Sequence, residues 1–294
     1  MSSRFSLALP APLRHFFALF PLYEYPPVPA PYAARPVDAP TLWIRAPRVP
    51  TDDVLSADVE CLKWQAYLAL RGCHDIALRW DVSADGALEG QLPNLQLPAA
   101  ATPGESTLLP AHLLPGWADA RVGALDLLEG YADDAARDES RAWVALMEGN
   151  VHAALVRPPV FLACLRRARA DERPRSAHHA VETMLSPPPA PLTGLSSLIP
   201  PYGTHIDRSA VELQYKEAIA SLSERLGTDK WFLGSDAPTA LDALIFAYLH
   251  CILHCKDNTV RIEVTRRVNL VAWERRVQAL VRAAFRRPDT PSES

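Results

Sequence analysis

The sequence lacks an apolar run long enough to cross a bilayer. A spanning helix needs roughly 20 consecutive apolar residues. The strongest candidate, residues 237–255, is interrupted by His250 and His254 and followed by Lys256. We therefore expect no transmembrane segment of the chain's own, and any stable residence at a membrane would have to come through a partner.

A surplus of basic residues is also missing. The chain has 30 lysines and arginines against 34 acidic residues, a net charge of −4. A protein whose main partner is nucleic acid needs a basic surface to neutralise phosphates. The composition therefore argues against nucleic acid as a partner.

Cysteine spacing gives no sign of a disulfide framework. The five cysteines are an odd number without a CxxC pair, which favours a reducing compartment. Hydrophobic residues make up 49% of the 294 and charged residues 22%, so the chain can form one large or two modest globular domains.

Residues 1–40 have no acidic residue before Glu24 and contain nine prolines. Transit peptides are also poor in acidic residues, but Pro10 and Pro12 interrupt the amphipathic helix that such a peptide needs. A secretory signal is not apparent. We predict a Pro-rich arm, with a short helix followed by an extended stretch. Its aromatic residues must be buried against the chain's own domain or against another protein: Phe16, Phe17, Phe20, Tyr23 and Tyr25.

Residues 41–135 alternate between strand and helix patterns. "PTLWIRAP", "HDIALRWDV", "GQLPNLQLP" and "STLLPAHLL" predict four strands, with Pro93 at the entrance to the third. A helix is predicted from Ser56, as its N-cap, to Gly72, and a second one over "ADARVGALDLLEGYA". The order favours a small α/β layer whose first two strands are parallel.

Residues 136–287 carry only helical patterns, and a tail of 288–294 follows. One long helical region starts at "ESRAWVALMEGNVHAAL", and others are "SAVELQYKEAIASLSERLG" and "VNLVAWERRVQALVRAAF". Between the first two, residues 172–205 are rich in proline and serine and predict a loop or insertion.

The helix with the clearest sequence signals is "TALDALIFAYLHCIL", residues 239–253. Thr239 and Asp242 have the spacing of a capping box, and the apolar residues that follow cover the whole circumference. A helix that is apolar all round is normally buried. We therefore expect the core of the helical domain here.

"HCILHC" raises the question of a metal site, because His250 and His254 share one helical face, as do Cys251 and Cys255. No further ligand pair at a characteristic spacing accompanies them. The alternative is that these are core thiols and histidines with hydrogen-bond partners. We expect no metal.

Two features together resemble the glutathione S-transferase fold. One is the thioredoxin-like order with Leu92-Pro93 before the third strand, and the other is "FLGSDAPTALDALIFAYL", which is similar to the family's capped core helix. The resemblance implies an α/β plus all-α protein, with a thioredoxin-like N-terminal domain followed by a helical C-terminal domain.

Further stretches resemble the metaxin family, and in particular the fungal metaxin-like subunit of the mitochondrial sorting and assembly machinery (the SAM complex). They are "LSADVECLKWQAYLALRG", "RAWVALMEGNVHAAL", "VNLVAWERRVQAL" and the preceding "LFPLYEYPP". The resemblance covers roughly residues 13 to 287. It implies a peripheral subunit on the cytosolic face of the mitochondrial outer membrane. Its implied partners are the barrel-forming core subunit, a second metaxin-like subunit and precursor β-barrel proteins.

Glutathione chemistry would need a Tyr, Ser or Cys after the first strand to stabilise a thiolate. "RAPRVPTDDVLS" offers only the hydroxyls of Thr51 and Ser56, and Asp52 and Asp53 put negative charge where the thiolate would lie. Glu105-Ser106 falls too early to match the fold's glutathione-binding acid and serine. We expect no catalytic residue and no cofactor. A divergent glutathione transferase, or a soluble scaffold of the same fold acting elsewhere, remains the alternative.

Two surfaces are candidates for partner binding. The first is the region around Arg45, Arg48, Asp52 and Asp53, where an exposed edge or groove would receive a precursor's strand-like signal, with the aromatic arm as a second contact to the core subunit. The second is the arginine-rich last helix. Its charges have two interpretations: an ordinary solvated face, or attraction to anionic lipid or acidic loops of a partner.

Overall fold

The computed structural model describes residues 37–49, 53–81, 86–98, 108–156 and 208–286. They contain one sheet, in the order β4-β3-β1-β2-β5. Its strands are β1 Thr41–Trp43, β2 Ile76–Arg79, β3 Asn94–Gln96, β4 Leu108–Pro110 and β5 Phe285–Arg286.

The sheet has the predicted parallel pairing of its first two strands. β1 runs parallel to β2, whereas β3 is antiparallel to both β1 and β4. Leu42 lies opposite Leu78 on one side and Leu95 on the other, and all three are fully buried. This row of leucines forms the centre of the sheet's core.

The fifth strand was not predicted. β5 follows the last helix and pairs in parallel with β2, Ile76 lying opposite Phe285. The end of the helical part therefore extends the sheet of the first part. A two-residue strand carries too little periodicity to be recognised from sequence.

Most of the remaining described chain is in eight α-helices. They are α1 Val59–Leu70, α2 Leu114–Val122, α3 Asp134–Leu146, α4 His152–Val156, α5 Arg208–Leu226, α6 Ala240–Leu253, α7 Asn258–Thr265 and α8 Val268–Ala284. The predicted sequence of a small sheet domain followed by helices is confirmed. No helix in these described segments combines the length and apolarity needed to span a bilayer.

Three boundaries differ from the prediction. Asp58, not Ser56, caps α1, and its carboxylate accepts the N–H of Cys61. The helix predicted over residues 118–132 is α2, which starts earlier and ends before Gly123, whose φ of 110° breaks it. The third difference is a π-helical turn, Met147–Val151, which separates α3 from α4 in the region predicted as one long helix.

The core of the helical part is α6, as predicted. Every residue from Leu241 to Ile252 is buried, and the helix packs against α1 of the first part. The predicted capping box of Thr239 and Asp242 is present. Asp242 accepts hydrogen bonds from the N–H of Phe232 at 2.9 Å and from the N–H and Oγ1 of Thr239 at 2.8 Å each.

Replacing Asp242 by asparagine should lower the free energy of unfolding by about 2 kcal/mol, because an amide N–H₂ would face buried donors that now share a carboxylate oxygen. Urea unfolding of D242N measures the loss. The matched control is D236N, in the exposed turn before α6, which should change stability little. Equal stabilities of the two variants would contradict this account of the cap.

The Asp242 carboxyl also predicts a pH dependence. Burial raises its pKa to about 6 from an ordinary value of 3.8, although the hydrogen bonds from Phe232 and Thr239 favour the ionised form. Between these values the folded protein binds the proton more tightly than the unfolded chain, so this group's contribution to stability falls as pH rises. The difference in unfolding free energy between wild type and D242N should therefore narrow from about pH 4 to about pH 6. A difference independent of pH would contradict the raised pKa.

Candidate functional site

The segment between β1 and α1, residues 44–58, is where a transferase of this fold would carry its thiolate-stabilising side chain. Ser56 lies here but is buried. Its Oγ donates to the carbonyl of Arg45 at 2.9 Å and accepts the N–H of Asp58 at 3.2 Å. The hydroxyl is therefore used in holding the turn together.

The side chain of Gln65, in α1, also holds this turn. It accepts the N–H of Ser56 at 2.9 Å and donates to the carbonyl of Val54 at 3.0 Å. Gln65 is fully buried in α1, so its amide satisfies two main-chain groups that water cannot reach. Sequence reasoning missed it. The available signal was a polar residue on the apolar face of a predicted helix.

Arg48 and Asp53 join this segment to the helical part. The guanidinium of Arg48 donates to the carbonyl of Cys251, near the C-terminal end of α6, at 3.2 Å. The carboxylate of Asp53 lies 3.1 Å from the guanidinium of Arg282 in α8. Two of the residues predicted to bind a partner thus have intramolecular contacts.

Arg48 is an exposed residue, and Arg45 is intermediate in exposure. The Arg45 side chain is 40% exposed and lies 3.8 Å from the Asp58 carboxylate, a distance typical of a loose ion pair. Arg45, Arg48 and Asp53 share one segment of the chain, but their side chains contact Asp58, α6 and α8 respectively. Other predicted residues lie outside the described ranges: Thr51, Asp52, Glu105, Ser106, Phe16, Phe17, Phe20, Tyr23 and Tyr25.

The thiols next to this segment are poor nucleophiles. Burial raises the pKa of Cys61 far above its ordinary value, and the negative charge of Asp58 raises it further. Burial likewise raises the pKa of Cys251 to about 12, although Arg48 opposes the shift. Thiolate is the reactive form, so neither cysteine offers a nucleophile near neutral pH.

Pro93 immediately precedes β3, and the Leu92-Pro93 peptide bond is cis. The next residue, Asn94, is buried, and its side chain accepts the N–H of Leu88 at 2.9 Å and donates to the carbonyl of Gln91 at 3.2 Å. These hydrogen bonds stabilise the conformation of the turn before β3.

The four side chains of "HCILHC" have partners within the chain. His250 is buried, and its Nδ1 lies 2.7 Å from the carboxylate of Glu274 in α8. His254 is exposed and bonds through Nδ1 to the His250 carbonyl, whereas Cys251 and Cys255 donate to the carbonyls of Ala57 and Asp257. Among the described residues, no three His, Cys, Asp or Glu side chains are grouped so that they could hold a metal ion.

Sequence reasoning missed the pairing of His250 with Glu274. Both are polar residues at positions that face the core in their own helices. The helical periodicity of α8 indicates that Glu274 lies on its apolar side, between Trp273 and Val277. The periodicity does not indicate its partner in another helix, because that depends on how the helices pack.

Comparison with known proteins bears on this geometry. Residues 215–277 match a family model described as the glutathione S-transferase C-terminal domain. Metaxin-1 of Macaca fascicularis is 43% identical over 60 residues, and human metaxin-1 is 40% identical over 68. The chain is a metaxin-like protein with a glutathione S-transferase-like fold.

The matched segments are short. They cover 18% and 21% of this metaxin-like chain, and 19% and 14% of the macaque and human proteins respectively. The fold assignment rests on the family-model match and on the sheet order with the helices that follow it.

Solved structures with a similar chain fold include a glutathione transferase family member from Pseudomonas fluorescens, whose structure has two glutathione bound. It is 11% identical, with a TM-score of 0.44 over 83% of this chain and 92% of that one. FzlA from C. crescentus is 13% identical, with a TM-score of 0.45 over 81% of this chain and 87% of its own.

Thiol reactivity tests the description of the site. In the native protein, iodoacetamide should modify Cys61 and Cys251 at least about 100-fold more slowly than in urea, because their thiolates are scarce and inaccessible. Peptide mass spectrometry over time measures each site. Cys255, which is half-buried, serves as the internal comparison and should react first of the three. Rapid native alkylation of Cys61 would restore a nucleophile to the site and contradict the description.

Proposed function

We propose that this chain is a non-catalytic, peripheral subunit of the mitochondrial outer-membrane β-barrel assembly (SAM) complex. It would lie on the cytosolic face of the membrane and bind the barrel-forming core subunit together with a second metaxin-like subunit. Its task would be to receive the strand-like signals of precursor β-barrel proteins. The similarity to metaxin-1 supports this choice of pathway.

The observation that carries the non-catalytic part is the state of Ser56. A transferase needs a donor that can reach a glutathione thiolate, whereas the Ser56 Oγ is buried and donates to the Arg45 carbonyl. The carboxylates of Asp53 and Asp58 are each paired with an arginine, so they are also occupied within the fold. Because Ser56, the hydroxyl residue of this segment that the structure describes, is already engaged, a binding role is the better account of the segment.

Arg45 is the best candidate for partner contact among the described residues of this segment. The side chains of Arg48 and Asp53 already meet α6 and α8, and their effect on a partner would be to fix the shape of the segment. The Arg45 side chain is 40% exposed, and its guanidinium makes only a loose ion pair. Its charge can therefore meet an acidic or polar group of a partner.

The first experiment is a co-migration measurement. Mitochondria from cells that carry the C-terminally tagged protein are solubilised in a mild detergent, and the proteins in the tagged band of a native gel are identified. We expect a membrane β-barrel in the same band. Migration as a monomer or small homodimer without a barrel would overturn the proposal.

A charge reversal at Arg45 should reduce the barrel recovered in that band several-fold, because a negative side chain at this position would repel an acidic group of the partner. The tagged protein itself should stay folded, since the guanidinium makes only a loose ion pair within the chain. The matched control is R141E. Arg141 is an exposed arginine of α3, paired with Asp138, and its side chain is 71% exposed. If R45E retained the barrel as well as R141E does, Arg45 would not be part of the interface.

The rivals predict different results. A divergent transferase would be retained on immobilised glutathione and would conjugate a generic electrophile, and absence of both would exclude it. A scaffold acting elsewhere would distribute with the cytosol, without mitochondrial enrichment.

A further inference from the structure

The outward face of the last helix, α8, has an unusual composition. Its exposed positions are occupied by arginine and by small or aliphatic residues, and the single acidic residue of the helix, Glu274, points inward to His250. We call this the arginine face. It comprises Val268, Ala272, Arg275 and Ala279 of α8, and we include the exposed Ile262 and Arg266, which precede the helix in the sequence.

The segment that contains α7 and α8 is rich in basic residues. Residues 256–286 contain eight basic and three acidic residues, although the whole chain is at −4. All three acids have roles within the fold. Asp257 caps α7, Glu263 pairs with Arg266, and Glu274 is buried. Basic side chains therefore outnumber acidic ones in this segment, and a surface rich in unopposed arginines attracts anions.

The order of residues around α8 separates the apolar positions from the charged ones. Successive residues of an α-helix are rotated by about 100° around its axis, so Val268, Ala272 and Ala279 lie along one line in the middle of the exposed side. Arg275 lies beside this line on one flank and Arg276 on the other. An ordinary solvated helix face carries charges along its middle, so this arrangement differs from a simple solvated face.

Two large apolar side chains mark the start of the face. Val268 is 78% exposed and Ile262 of α7 is also exposed. Arg266, whose side chain is 69% exposed, lies between them in the sequence. Apolar tips next to long basic side chains suit the boundary between lipid headgroups and acyl chains, because the tips enter the apolar layer while guanidinium groups reach phosphates.

We propose that the arginine face binds the surface of an anionic phospholipid bilayer. The proposal goes beyond the SAM assignment, because the face would adsorb to such a bilayer whether or not a barrel subunit is present. Few side chains enter the lipid, so binding is weak, reversible and sensitive to salt. Each arginine near an anionic surface adds about fivefold to the partition coefficient.

The test uses the purified full-length protein and vesicle sedimentation. Vesicles of phosphatidylcholine alone are compared with vesicles that also contain phosphatidylserine, at low and at about physiological (about 0.15 M) salt. We expect binding only to the anionic vesicles, with a marked decrease at the higher salt. Equal binding to both compositions, or none to the anionic vesicles at low salt, overturns the proposal.

Matched variants locate the surface. R266E should weaken vesicle binding at least about tenfold, because it exchanges a positive for a negative charge. R141E is the control, since Arg141 is as exposed as Arg266 and pairs with an acid at the same spacing, and it should have little effect. V268S should also weaken binding, whereas L127S, at a residue that is 91% exposed elsewhere, should not.

The alternative occupant is an acidic protein segment. A soluble poly-glutamate peptide that binds the wild-type protein but not R266E, while anionic vesicles do not bind, would overturn the lipid proposal in favour of a protein partner. Circular dichroism verifies that each variant is folded. Vesicle binding unchanged in R266E and V268S would show that another surface is responsible and would overturn the assignment of this face.

Discussion

The carboxylate of Asp242 is the constraint on which the helical part depends. It is buried, and it accepts the N–H of Thr239 at the start of α6 and the N–H of Phe232 in the preceding turn. Without it, these two backbone donors at the entrance to α6 would lose their partner, and water could not replace it. The cost of burying the charge appears as a raised pKa, and the bonds that it receives offset part of that cost.

The position of α6 in turn determines what the first part of the protein can do. The C-terminal end of α6 contacts the segment after β1. There the Arg48 guanidinium donates to the Cys251 carbonyl, and the Cys251 thiol donates to the Ala57 carbonyl. In a transferase that segment has to leave room for a thiolate. Here its described residues are held by Ser56, Gln65 and these contacts with α6.

The charged side chains of α8 are divided between its buried and its exposed side. Glu274 pairs with His250 inside, which leaves the exposed side of α8 without an acid. Arg282 reaches Asp53 in the segment after β1, so the last helix also holds that segment. One helix therefore stabilises the contact between the two parts and presents a positive surface, and the strand that follows it, β5, completes the sheet.

The sequence alone determined the features that depend on local spacing. They are the α/β order followed by helices, the parallel pairing of β1 and β2, the buried α6 and its cap at Thr239 and Asp242, because periodicity and capping chemistry act within a few residues. It did not place the cap of α1 at Asp58, because Ser56 and Asp58 are both good caps and the choice came from Ser56 bonding to Arg45. Nor could it predict β5, the pairing of His250 with Glu274, or the bonds of Gln65 and Arg48. Those contacts join groups far apart in the chain, and only the packing of whole helices against the sheet decides which of them meet.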